Sequence, residues 1–324
     1  MIYMNVIKKL FAQLILPLGL IAMVASAGFA QDADYQKQLE EYEKKKKAIE
    51  EENKKKMAEM DKAQKDNAVK QFVNQGNTSL KKKQYQEALD YYDQALQYDP
   101  NFVKAYYGKG IALKNLRRYN EAIQVYQQAV TINPLYSDAH LAMAKLYRQL
   151  NQLDYALTAC LSAVQTDTAS ADAAYELGVI YAKQKKYAKA VDAYQKVVEL
   201  EPNNYRAFEA LGVAYQNLGN SEGAISAYKS SIAIRERNDN VYYRLAALYN
   251  KLGSHQDALD NALESLKHKP RKNGKAAFEA GQAYEHMGQY QNAIKYYKMA
   301  AQQDRRWARS ANYQIDLINR KLSK

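Results

Sequence analysis

VKAYYGKGIALKNLRRYNEAIQVYQQAVTINPLY, residues 103–136, decides how the whole chain is read. Gly110 and Ala122 are small residues on either side of the turn-side Tyr119, the pattern expected where two helices of a hairpin cross. Ala129 is small where a second helix meets whatever follows. Asn133-Pro134 ends that helix, because proline disfavours helical geometry at the residue before it. The same arrangement returns along the chain. Ala88, Ala122, Ala156, Ala190, Ala224 and Ala258 succeed one another at 34 residues, and Gly76, Gly110, Gly178 and Gly212 at 34 or 68. Pro100, Pro134, Pro202 and Pro270 share one register, and a one-residue insertion near Asn273 shifts the last copy to Gly281, Tyr284 and Ala293. Self-similarity at a fixed period is the signature of a repeat architecture. It defines seven units: 69–102, 103–136, 137–170, 171–204, 205–238, 239–273 and 274–307.

The pattern within a unit, with Tyr106, Gly110, Tyr119, Ala122, Tyr126, Ala129 and Pro134 as its clearest copy, resembles the tetratricopeptide repeat. The resemblance covers about three quarters of the chain. It implies an all-α fold: paired antiparallel helices stacked into a right-handed superhelical solenoid with a concave groove. The segment 308–324, with Ala311, Ile315, Leu317 and Ile318 following Trp307, reads as a capping helix that shields the last unit. Unit three carries Ala144 for the glycine, Cys160 for the second-helix aromatic and Thr168 where proline is usual. Unit five ends in Arg235-Glu236-Arg237 without a proline. The joints after these two units are expected to be looser or re-angled.

Composition narrows the function. One cysteine in 324 residues excludes a disulfide framework and cysteine-paired zinc, and four histidines leave little for any other metal. Tyrosine is the anomaly, 29 against six phenylalanines and one tryptophan. Sixteen of the 29 fall at positions 4, 11, 17 and 24 of the units, so most belong to the scaffold. Lys8-Lys9, an apolar run over 10–24 and Ala25-Ser26-Ala27 have the three parts of a secretory signal peptide. Residues 1–30 are therefore expected to be removed, after Ala27 or Ala30, leaving no stable membrane span. The alternative is an uncleaved N-terminal anchor. A single cysteine suits the oxidising compartment this implies.

Residues 31–68 are almost all Glu, Lys, Ala, Gln and Met, without glycine or proline. Glu40, Glu41 and Glu43 each precede a lysine by four residues, as do Glu50, Glu51 and Glu52. That order supports a helix by a few tenths of a kcal/mol per pair. Tyr35, Tyr42 and Ile49 recur every seven residues, but Lys46 and Asn53 interrupt the companion row of Leu39 and Met60. A solvated spacer and an oligomerising coiled coil over 35–65 both fit.

Catalytic signals fail on context. Gly219-Asn220-Ser221-Glu222-Gly223 spells a nucleophile elbow, which requires a strand before the serine, whereas here it is the turn between two helices of a repeat. His140, His255, His268 and His286 show no ligand spacing. The reading is non-enzymatic, without cofactor or metal. The formal charge of +12 is spread as +2 on the first thirty residues, −1 on 31–68, +8 on the repeats and +3 on the tail. No basic stripe with interleaved aromatics appears, so nucleic acid is not expected.

In the repeat family, ligands lie along the first helices at positions 2, 5, 9 and 12 of each unit. Carried over, these positions in units one to three hold Lys70, Asn77, Lys104, Tyr107, Lys114, Lys145 and Arg148 against the single acid Asp138. Tyr107, Tyr175 and Tyr243 are spaced by 68 residues, one on every second unit. A tyrosine offers apolar area with a hydroxyl on a short side chain, which suits peptide contact. The expectation is a groove with tyrosine pads for a partner segment that is acidic where it meets units one to three. Packing of those tyrosines on neighbouring helices is the plainer alternative. Signal sequence, charged helix and repeats together are similar in architecture to periplasmic tetratricopeptide proteins of Gram-negative bacteria that coordinate envelope assembly. A peptidoglycan- or glycan-binding envelope protein and an accessory subunit of a secretion or motility machine are the rival readings.

Overall fold

The structure, a computed structural model, describes residues 33–323, so the expected signal peptide lies outside the described residues. Fifteen helices and no strands occur among the described residues. The long α1 (Ala33–Lys81) is followed by α2 (Tyr85–Tyr98), α3 (Val103–Asn115), α4 (Tyr119–Ile132), α5 (Ser137–Gln149), α6 (Leu153–Thr166) and α7 (Ala171–Lys183). Then come α8 (Tyr187–Leu200), α9 (Tyr205–Leu218), α10 (Ser221–Ile234), α11 (Asp239–Leu252), α12 (His255–His268), α13 (Gly274–His286), α14 (Tyr290–Gln303) and α15 (Arg305–Leu322). The charged segment and the first helix of the first repeat are thus one uninterrupted helix. The chain divides into two compact units, Met1–Ala122 and Ile123–Lys324. In the first, α1 packs on α2 and touches α3, which also packs on α2. In the second, each helix from α5 to α14 packs on its successor, and α5 touches α7, α11 touches α13, and α13 touches α15.

The helices of a pair approach closely because position 8 is matched to position 24. Tyr92, Tyr228 and Tyr297 at position 24 have no exposed surface, and Tyr194 almost none. Each ring lies on the glycine at position 8 of its own unit. A Cβ on Gly76, Gly178, Gly212 or Gly281 would stand 2.8, 2.5, 2.5 or 2.7 Å from the facing ring. Units three and six lack the ring: Ala144 faces the second helix that carries Cys160, and Ala246 the one that carries Ala262, all fully buried. Interiors packed near crystal density leave no slack for both members to be large.

The turn inside each pair reverses the chain through one left-handed residue at position 15. Lys83, Arg117, Asn151 and Lys185 take φ of 59–62°, and Gly219, Gly253 and Gly288 take φ of 74–87°. Between pairs, helices end at Tyr98, Ile132, Thr166, Leu200 and Ile234 and resume five residues on, including after units three and five. The missing proline after α6 is offset locally, as Asp167 accepts the Ala169 amide at 3.1 Å and Ser170 caps α7 through the Ala173 amide at 3.2 Å. At the end of the array, Ala311 and Ile318 of α15 are buried with Phe278 and Tyr297, and Trp307 stands 4.7 Å from Phe278 between ring centroids. Leu317 departs from the expected shielding row, being 39% exposed.

Candidate interaction face on the first helices

The first helices of the pairs carry the side chains at positions 2, 5, 9 and 12. On α7 and α9 they surround a cleft of about 380 Å³. Tyr175, Ala182, Arg206, Glu209 and Val213 line it from those positions, with Tyr187 and Tyr194 from α8. The Tyr175 ring packs on Tyr194 at 5.5 Å, and burial raises its hydroxyl pKa above the ordinary range. An apolar floor with a guanidinium and a carboxylate among its walls suits one side chain and the backbone of an extended segment.

Neighbouring first helices are stitched by a rule of register. Position 2 of one unit closes on position 5 of the unit before. Asn240 Nδ2 donates to Glu209 Oε1 at 2.8 Å, and Asn238 Nδ2 reaches Oε2 of the same carboxylate at 3.3 Å. One unit further, Lys275 Nζ stands 4.3 Å above the centre of the Tyr243 ring and donates to Asn240 Oδ1 at 2.7 Å. Burial lowers the Lys275 pKa and raises that of Tyr243. A second rule joins position 12 to position 6 of the next unit. Arg148 pairs with Glu176 through one guanidinium edge, Nε donating to Oε1 and Nη2 to Oε2, and Asn250 Nδ2 donates to Glu279 Oε2 at 2.9 Å. Both glutamates are nearly inaccessible. Burial raises the Glu279 pKa, with the Asn250 hydrogen bond acting against it.

The residues expected from the sequence therefore divide. Lys70, Lys104 and Lys114 are exposed in the first compact unit and Lys145 in the second. Arg148 is committed to Glu176. Asn77 accepts the hydroxyl of buried Tyr92 at 2.7 Å, a scaffold role that shares its exposed position on α1. Tyr107 is half-buried. Tyr175 and Tyr243 each spend part of the ring on a neighbour, so packing and display coexist in them. Glu176, Glu279 and the Tyr243–Lys275 contact are what sequence reasoning missed. The signal was available as the two register rules, but only neighbouring pairs in space disclose them.

Five family profiles, all described as tetratricopeptide repeat, match residues 73–137, 116–177, 171–204, 193–226 and 274–305. Together they cover more than half of the chain. The chain belongs to the tetratricopeptide repeat family. Its repeats are thus those of a protein-interaction fold. A comparison with curated proteins finds no match. Among solved structures, the Pseudomonas aeruginosa pilF protein is similar at 19% identity and a TM-score of 0.52, over 62% of this chain and 90% of that one. The APC/C Cut9–Hcn1 hetero-tetramer is similar at 21% identity and 0.50, over 66% and 42%. YrrB, described as a TPR protein with an unusual peptide-binding site, is similar at 25% identity and 0.45, over 51% and 85%. These likenesses concern the fold.

Within the repeats, the elbow-like Gly219–Gly223 string occupies a helix–helix turn. Gly219 is the left-handed cap of α9, and Asn220 caps α10 by accepting the Gly223 amide at 2.8 Å. Of the histidines, His255 and His286 stack at 4.4 Å across adjacent repeat turns, a pairing the sequence did not announce. Among the described residues no three metal-ligating side chains gather, and no helix is long and apolar enough to cross a membrane.

Proposed function

We propose that this tetratricopeptide protein is a scaffold of the cell envelope that holds a partner protein by seating an extended segment of it on the first helices of units four to seven. The observation that carries the reading is the 380 Å³ cleft, whose walls include five of the positions through which the family takes peptides. The segment enters with one apolar side chain against Tyr175 and Val213, while Arg206 and Glu209 hold its backbone polar groups. In the first compact unit, exposed Lys70, Lys104 and Lys114 suit an acidic stretch of a partner. Export is supported by the N-terminal pattern of residues 1–30 and by the use of a single cysteine. Cys160 is buried and its thiol pKa is pushed up to about 12, mainly by that burial, so it is inert to disulfide exchange.

The test is site-specific photocrosslinking in intact cells, with the probe at Ala210 in the cleft and at Lys196 on the exposed side of α8. A defined protein adduct at Ala210 that is absent at Lys196 is the expected result. Adducts that do not differ between the two sites overturn the reading. So does retention on purified peptidoglycan without any protein adduct, which would favour glycan binding. Intact mass of the cell-derived protein tests export, since a full-length 37.0 kDa species contradicts cleavage.

A further inference from the structure

Before it reaches the repeats, α1 runs over residues 33–68 as a helix of about 54 Å at 1.5 Å per residue. None of its described side chains from Gln36 to Ala68 is buried. Leu39, Tyr42, Lys46, Ile49, Asn53, Lys56 and Met60 fall at alternating steps of three and four, so one face of this helix carries them as a seam. Lys56 does not place its charge in that seam, because its ammonium is drawn 2.6 Å from Glu52 on the flank, leaving the alkyl stem behind.

We propose that a second copy of this chain covers the seam, parallel and in register over residues 39–60. The flanking charges select this occupant and this orientation. In a parallel pair, the residue just before a seam step meets the residue five further on in the other copy. That sets Lys45 against Glu50 of the second copy, and by symmetry the reverse, giving two attractive contacts. Glu52 then meets Met57 and Glu59 meets Gln64, so no like charges meet on the flanks, and the like-charge contact of Lys46 with its own copy in the seam weakens the pair. Aligned head to tail over the same span, Glu43 instead falls opposite Glu50, which cancels the attraction that this alignment gives Lys45 and Glu52. Asn53 meets its own copy only in the parallel register, where the paired amides hydrogen-bond and fix alignment at a cost in stability. With Lys46 and Asn53 in the seam, the dimer is reversible.

The test uses the full chain in sedimentation equilibrium over a dilution series, with helix content followed by circular dichroism. The expected mass at high concentration is that of two chains. Lys45→Glu places like charges at both flanking contacts and raises the dimer Kd about tenfold, and the double variant Lys45→Glu/Glu50→Lys restores it. Asn53→Cys, under mild oxidation, links two chains, since Cys160 is buried and does not compete. A single-chain mass at every concentration, a mass of three chains, a double variant as weak as the single one, or no cross-link at position 53 each overturns the proposal. Retained repeat helicity in all variants separates loss of the dimer from loss of fold.

Discussion

Replacing Gly212 by alanine puts the position 8–24 pairing to a quantitative test. An added Cβ stands 2.5 Å from Cε1, 2.6 Å from Cδ1 and 3.0 Å from Cζ of Tyr228, while ordinary contact begins at 3.4 Å. The ring must therefore retreat by about 0.9 Å. It has nowhere to go, because Tyr228 has no exposed surface and its hydroxyl is held by Gln216 Oε1 at 2.9 Å. Overpacking of this kind costs about 2–3 kcal/mol. Alanine recovers about 1 kcal/mol over glycine as a helix former. The net loss is about 1–2 kcal/mol. In a Tyr228→Cys background the ring is gone, as at Ala144 and Cys160 in unit three, and the same Gly212→Ala change then stabilises by about 1 kcal/mol. The two substitutions are thus coupled by about 2–3 kcal/mol. Urea unfolding followed at 222 nm gives the midpoints, compared at constant slope because repeat arrays depart from strict two-state behaviour. A Gly212→Ala protein as stable as the parent, or a cycle in which the effects simply add, would refute the volume argument.

Two further outcomes follow from the buried glutamates. Arg148→Ala strands Glu176, whose side chain is 5% exposed, and is expected to cost about 3 kcal/mol in urea unfolding. Arg118→Ala, which opens a solvent-exposed pair with Glu121, is expected to leave the urea midpoint almost unchanged, and equal losses would contradict the assignment. The carboxyl of Glu279 has a folded-state pKa raised above its usual 4.5, so its favourable contribution is full below that value and is lost as pH rises through the folded pKa. Glu279→Gln is accordingly more stable than the parent at neutral pH, and the gap closes as pH falls below 4.5. A gap that does not change with pH would show that Glu279 is not buried as a charge.

The repeat, its helix pairs and its capping helix were legible because their determinants are local or periodic. Pro134 stops a helix wherever it stands, and an alanine every 34 residues from Ala88 to Ala258 needs no knowledge of its neighbour to be noticed. Leu317 misled because Ile315, Leu317 and Ile318 are all apolar, and only the packing of α15 decides which of them faces Phe278 and Tyr297. The rows of the first helices were legible, but not the contacts between them. Lys275 and Tyr243 are 32 residues apart, and Arg148 and Glu176 are 28, so each contact depends on how one repeat is set against the next. Arg148 counted as a free groove cation for that reason. Its commitment to Glu176 leaves Lys70, Lys104, Lys114 and Lys145 as the exposed cations of that group.

The missed glutamates and the tyrosine excess have a common cause. Where position 24 is tyrosine in units one, five and seven, its hydroxyl donates to a first-helix side chain of the same unit: Asn77, Gln216 or Glu285. Units three and six have Cys160 and Ala262 there instead, and the units that follow them carry Glu176 and Glu279 at position 6. Those carboxylates take the position 12 side chain of the preceding unit, Arg148 or Asn250. In unit two, Gly108 at position 6 lies against the Tyr92 ring, whereas in unit six Arg244 at the same position stands beside the Tyr228 hydroxyl, so the residue at 6 is placed to meet whatever position 24 presents. Where the ring is absent, in units three and six, the buried carboxylate of the next unit is the group that satisfies the position 12 side chain. A change at position 24 is therefore a change in the electrostatics of the first-helix face as well as in the core.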